Sequence, residues 1–341
     1  MSDEISKLRM AADNPVVAAK WLEREQAIAN REREFGLEQS LGKFRVGSVK
    51  ALNAVPLTRG LENEIVYDVP AKLAQMLQRD ELDAALVSVV EALFHDRYDI
   101  LDGIAVASLG EVKSVFLAHR QPLEAVKEVF CDTASLTSVM LLKVLLAERG
   151  LKPEFKPLEN YAAAKEKDFV LLIGDPALDF LFANPNTAPD SLSSPEGGEG
   201  WGEEAKLSPD QIPSPQPSPR FGGERESESG RAKAGHEIFD LGAAWTEFTK
   251  LPFVYAVWAM RREVHTPELR RQLRDARAFG LDTLDHIISQ RPEYTEDFRK
   301  DYLGWHIHYH IGTDEKRGIA KFIELLRKHG FGPVFEPKFV V

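Results

Sequence analysis

The stretch from Ile65 to Val89 decides the fold class. Ile65-Val66-Tyr67-Asp68-Val69 is a short apolar run, Pro70 to Arg79 is a helical pattern, and Ala84-Ala85-Leu86-Val87-Ser88-Val89 is a second apolar run. The outer pieces read as strands and the middle as a helix, the period of a strand–helix–strand unit. Working outward, Phe44–Val49, Ser114–Ala118, Glu128–Asp132 and Phe169–Gly174 also read as strands. Thr137–Arg149, Pro267–Ser289 and Glu315–His329 read as helices, the last with Ile319, Phe322, Ile323 and Leu326 on one stripe. Such alternation predicts an α/β protein with largely parallel sheets. Ligands in these sheets bind outside the carboxyl ends of the strands, so functional residues are expected just after strands.

Composition narrows the classes. The chain has 341 residues with 43 Lys and Arg against 54 Asp and Glu, a formal net charge of −11. An acidic balance argues against nucleic acid as the partner, because phosphate binding wants a basic face. Apolar residues make up 43%, enough for a sizeable core. The single cysteine, Cys131, excludes an intramolecular disulfide and a multi-cysteine metal site and reads as a small buried residue. The first residues, Met1 to Lys7, carry acids and no apolar run, and no stretch of roughly 18 uncharged apolar residues occurs anywhere. The expectation is a cytoplasmic protein with no membrane partner. The sequence carries no signal for an oligomeric state.

Two segments stand apart. Pro185–Gly235 holds 8 Pro, 8 Gly and 8 Ser in 51 residues, and its only large apolar residues are Leu192, Trp201, Leu207, Ile212 and Phe221. Too little apolar surface is available to offset ordering entropy, which predicts a disordered insertion. In residues 1–40, Asn14-Pro15 reads as a helix start and Gly36 as its stop, with Val17, Trp21, Ile28 and Phe35 on one side. This predicts an accessory helix.

Several polar groups sit where the strand rule looks for function. Asn53 follows the first strand and precedes Pro56; it is either a turn residue or an amide that donates and accepts in a cleft. Ser114 opens an apolar strand, and no nucleophile elbow surrounds it, so a backbone contact competes with a ligand contact. Ser135, Thr137 and Ser138 lie between a strand and a long helix; they cap that helix, or bind an anion at its positive end, or both. Gly174-Asp175 ends another strand, the glycine permitting close backbone approach and the aspartate capping a turn or meeting a substrate hydroxyl. His306, His308 and His310 alternate, which suits a metal only if the segment is a strand.

In order along the chain, these pieces resemble the chorismate dehydratases of the futalosine route to menaquinone. The matching motifs are Arg45-Val46-Gly47 with Leu52-Asn53-Ala54-Val55-Pro56-Leu57, Leu82 to Val87, Gly110 to Val115, Ser135-Leu136-Thr137-Ser138-Val139 and Leu172 to Leu178. The most specific is Asp240-Leu241-Gly242-Ala243-Ala244-Trp245 leading to Leu251-Pro252-Phe253-Val254-Tyr255-Ala256-Val257-Trp258-Ala259. The resemblance implies a type 2 periplasmic-binding-protein-like fold, two α/β lobes with the ligand between them. Its crossing segments are expected near Ser114–His119 and Phe253–Ala259. One lobe then combines 41–116 with 254–341 and the other spans 117–253, interrupted by the insertion 185–235.

The same resemblance implies a lyase that dehydrates chorismate, with no metal or organic cofactor. It assigns catalysis to Asn53 and Ser114 and substrate binding to Ser135, Thr137, Ser138, Gly174 and Asp175. Two positions depart from the family pattern: Leu136 stands where an arginine is usual, and Lys250 where a glycine is usual. Alternative readings are the sister enzyme that forms 1,4-dihydroxy-6-naphthoate, a non-catalytic binder of small anions, and an inactive relative.

Overall fold

The computed structural model describes residues 40–184 and 235–341, together with Glu23, Gln26, Ala27, Ile28 and Asn30. Those five are helical; otherwise the expected accessory helix lies outside the described residues, as does the insertion apart from Gly235. In chain order the strands are β1 (Val46–Ser48), β2 (Val66–Tyr67), β3 (Ala84–Ser88), β4 (Tyr98–Ser108), β5 (Val115–His119), β6 (Glu128–Cys131), β7 (Glu154–Pro157), β8 (Phe169–Ile173), β9 (Glu237–Asp240), β10 (Phe253–Arg261) and β11 (Phe339–Val340). They form two sheets, ordered β11-β4-β10-β3-β1-β2 and β7-β6-β8-β5-β9.

One plan is repeated in both sheets: the second, first and third strands of a lobe, then a strand delivered from the other lobe, then a fourth. This is the two-lobe, type 2 periplasmic-binding-protein-like architecture expected from the sequence. The sheets are mixed rather than largely parallel. β1 runs parallel to β2 and β3, and β6 parallel to β7 and β8, but β10 is antiparallel to β3 and β4, and β5 to β8 and β9. A strand that enters a lobe from the cleft must run opposite to strands whose carboxyl ends face the cleft.

The crossings also move. Ser114–His119 and Phe253–Ala259 are mainly sheet strands, and the chain passes between sheets through residues 109–114 and 241–252. Val115 and Phe116 therefore pair in the second sheet and Phe253 in the first, which shifts the expected lobe limits by a few residues. The helix expected over Pro267–Ser289 is two, Pro267–Asp282 and Leu284–Gln290. Thr283 between them leaves helical geometry (φ −110°, ψ 19°). The longest strand, β4, was not legible because Asp99, Asp102 and Gly103 interrupt its apolar pattern.

Three aromatic rings fasten a crossing to the first lobe. Trp245 on the helix Leu241–Thr249 meets Phe253 of β10 edge-to-face at 5.0 Å, and Phe253 meets Phe322 of the helix Thr313–Lys328 at 5.0 Å. All three are buried. Edge-to-face pairs of this kind contribute about 0.5–1.5 kcal/mol beyond their buried area. Lys250, which ends the crossing helix, adopts the left-handed conformation (φ 59°, ψ 24°). Glycine takes that conformation without strain, which accounts for glycine as the usual residue there.

Candidate functional site

The carboxyl ends of β1, β3 and β8, the first crossing and the first half of β10 converge on a cavity of about 600 Å³ between the sheets. Asn53, Ser114, Ser135, Ser138, Gly174 and Asp175 line it; Thr137 does not.

Asn53 rides on a 3-10 turn, Leu52–Leu57, that follows β1 and contains Pro56. Asp175, the first residue of the helix Asp175–Ala183, fixes this turn from the opposite lobe: its Oδ1 accepts the Leu52 N–H at 3.1 Å. Burial, with Asp179 and Glu293 nearby, pushes the Asp175 carboxyl up, while the Leu52 N–H acts the other way. Gly174 has φ 67° and ψ −143°, backbone that L side chains rarely adopt. That bend lets its N–H donate to the Ser114 carbonyl at 2.7 Å, tying β8 to the first crossing.

Ser114 is fully buried. The Tyr302 hydroxyl donates to its Oγ at 2.8 Å, and among the described residues the other polar neighbour of that Oγ is the Val112 carbonyl at 3.4 Å. The Asn53 amide stands near the same tyrosine hydroxyl and acts against the effect of burial on it. Burial raises the Tyr302 phenol well above its ordinary value, so it stays protonated. Asp240, below the first crossing, accepts the N–H groups of Val112, Lys113 and Ala243. Burial raises its carboxyl to about 6 against those three donors.

Across the cleft, Ser135 is the N-cap of the helix Leu136–Glu148, yet its side chain makes no capping bond. Ser138 Oγ donates to Ser135 Oγ at 3.3 Å, leaving both hydroxyls beside the first backbone N–H groups of the helix. Thr137 faces away. Its Oγ1 is 2.6 Å from Ser88 Oγ and accepts the Val90 N–H at 3.1 Å, while its own N–H donates to Ser88 Oγ at 3.0 Å. The sequence grouped it with the binding residues; here it bolts one lobe to the other.

Residues the sequence did not single out complete the walls. Tyr161 donates to buried Asp132 at 3.0 Å, and Tyr255 pairs with Ser108 at 3.0 Å. Lys50, at the mouth, is the one basic side chain among the described lining residues. It stands just after β1, where the strand rule applied to it as much as to Asn53. Tyr302 had no local signal: it opens a π-helix, Tyr302–His306, far along the chain. Of the three histidines, that helix holds only His306. His306 Nδ1 is 2.7 Å from the Glu111 carbonyl, while His308 and His310 stack at 5.7 Å. Cys131 is buried, its thiol pushed up to about 12 by desolvation.

A family model described as menaquinone biosynthesis matches residues 44–192 and 225–328. A chorismate dehydratase from Thermus thermophilus is 32% identical over 304 residues, covering 86% of this chain and 99% of that protein. Among solved structures, a protein from Archaeoglobus fulgidus superposes with a TM-score of 0.56 at 16% identity, covering 86% of this chain and 99% of the other. A Bordetella bronchiseptica protein gives 0.52 at 14% identity, covering 87% and 92%. An ABC transporter structure from Parabacteroides distasonis gives 0.50 at 12% identity, covering 85% and 98%. These likenesses carry the fold.

Proposed function

The chain belongs to the menaquinone-biosynthesis family, and from that premise we propose that it is a chorismate dehydratase, acting in the futalosine route in the cytoplasm. The observation that supports this best is that Asn53 and Ser114, distant in sequence, both line one cavity of ligand size, with Ser114 Oγ held from behind by the Tyr302 hydroxyl.

In the reaction, the ring C–H at the ether-bearing carbon and the ring hydroxyl leave as one water, giving 3-[(1-carboxyvinyl)oxy]benzoate. The ring becomes aromatic, so the thermodynamic drive resides in the substrate. The protein has to orient a dianion, hold the departing hydroxyl and keep bulk water out. One substrate carboxylate sits against Ser135, Ser138 and the helix end behind them, whose N–H groups and dipole favour an anion. The other faces Lys50 at the mouth. Ser114 and Asn53 donate to the hydroxyl that departs and to the carboxylate nearest it.

A general base is usually His, Asp or Glu. Among the described lining residues there is no His or Glu, and the two carboxylates are Asp68 and Asp175. Asp68 accepts the Val69 N–H and Asp175 the Leu52 N–H. We therefore assign the proton to a carboxylate of the substrate itself, held in register by Asn53 and Ser114.

Incubating the purified protein with chorismate and following products by chromatography tests the function. Conversion to the vinyl-ether benzoate with loss of one water is expected. Unchanged chorismate in the presence of folded protein overturns the reading. So does turnover only of a precursor to 1,4-dihydroxy-6-naphthoate.

A further inference from the structure

We propose that Tyr302 is a positioning residue for the dehydration, aiming the Ser114 proton into the cavity; this rests on the function proposed above. The hydroxyl of Tyr302 is fully buried with the rest of its side chain. A buried phenol needs a partner, and this one finds it in the candidate site: it donates to Ser114 Oγ at 2.8 Å.

The proton count gives the arrangement its direction. Tyr302 has one proton and spends it on Ser114. Ser114, already accepting, must send its own proton elsewhere. The Val112 carbonyl at 3.4 Å is beyond the usual O–H···O range of about 2.5–3.0 Å. The remaining direction is the cavity that Ser114 lines. A ligand oxygen there receives a hydroxyl polarised by the donor behind it, the end of a chain running from phenol to hydroxyl.

Packing makes Tyr302 a rigid anchor. Its ring stacks on Phe298 at 5.6 Å with planes 12° apart. Phe298 in turn meets Tyr294 and Phe182 edge-to-face. The aromatic body therefore stays in place when only the hydroxyl is removed.

The test is Tyr302→Phe, alone and combined with Ser114→Ala, with single-turnover rate, KM and thermal unfolding measured on each. Tyr302→Phe is expected to lower the rate about 10–100-fold with KM changed less than about threefold, the signature of an interaction made chiefly in the transition state. In the Ser114→Ala background it is expected to cost less than about twofold more, because the hydroxyl acts through Ser114. A wild-type rate in folded Tyr302→Phe overturns the proposal, as does a full multiplicative loss in the double variant. Wild-type turnover in the same assay separates the two levels: product from wild type with an unaffected Tyr302→Phe removes Tyr302 and leaves the function standing. No product from wild type removes both.

Discussion

Asp175 is where the assignment of the proton acceptor is most exposed. Its raised carboxyl lines the cavity and is the one lining acid fixed by the opposite lobe. As an amide, Asp175→Asn keeps an Oδ1 that accepts the Leu52 N–H but has no basic group. If the substrate supplies the base, turnover of Asp175→Asn stays within about fivefold of wild type; a loss of about 10²–10⁴-fold, the usual worth of a general base, moves the role to Asp175. Rapid-quench kinetics with saturating chorismate distinguishes the two. Six of the seven candidate site residues line the cavity, and they were legible because they share a local sign, a polar group or glycine beside a strand end. Thr137 carries the same sign, and its hydroxyl turned out to face Ser88, since the direction of a side chain at a helix start is set by the neighbouring lobe. Tyr302 carried no sign, because its role comes from a distant element folding back onto Ser114.

At the scale of elements, the helix Pro267–Asp282 holds the Asn53 turn from behind. A Cβ added at Gly280 would lie 1.9 Å from the Pro56 carbonyl oxygen, a backbone atom that cannot rotate away. Gly280→Ala is expected to displace the turn, costing roughly 1–3 kcal/mol of stability by overpacking. Turnover of the remaining folded protein should fall at least tenfold, although Gly280 lines no cavity wall; a thermal melt paired with an active-fraction assay checks both. Asp240 gives a pH test of the first crossing. Its folded carboxyl titrates near 6, above the ordinary 3.8, so the folded state holds a proton that the unfolded chain has released between those values. Its ionisation therefore opposes folding above about pH 6, and lowering the pH towards 5 recovers stability. Between pH 5.5 and 4.5, the unfolding free energy of wild type should rise on acidification by about 1.4 kcal/mol per pH unit relative to Asp240→Asn. Equal slopes for the two proteins in urea titrations would contradict this. The strand–helix alternation was readable because each element carries its own period. The antiparallel entry of β5 and β10 was not, since it depends on which strands they join and leaves no mark in their composition.

For the whole molecule, two lobes share a cleft that side chains from both must close. Leu52 with Asp175, Ser88 with Thr137, and Lys328 and His329 with Glu148 all join across it. These contacts, the named cavity walls and both crossings lie within the described residues. Composition alone then predicts that replacing Pro185–Gly235 by a short Gly/Ser linker leaves turnover nearly unchanged. Loop-closure entropy varies by only about 0.6 kcal/mol per doubling of length, so a stability loss above about 2 kcal/mol would show that the segment packs on the body. The central claim is that the cavity dehydrates chorismate through Asn53 and Ser114, and single-turnover kinetics on chorismate with wild type, Asn53→Ala, Ser114→Ala and the double variant, each matched to its melting curve, tests it most directly. The account predicts product from wild type and a loss on the order of 10²–10³-fold in each single variant, with melting nearly unmoved. The double variant should lose far less than the product of the two, because the residues act as a unit on one substrate. Full activity in folded Asn53→Ala or Ser114→Ala would contradict it.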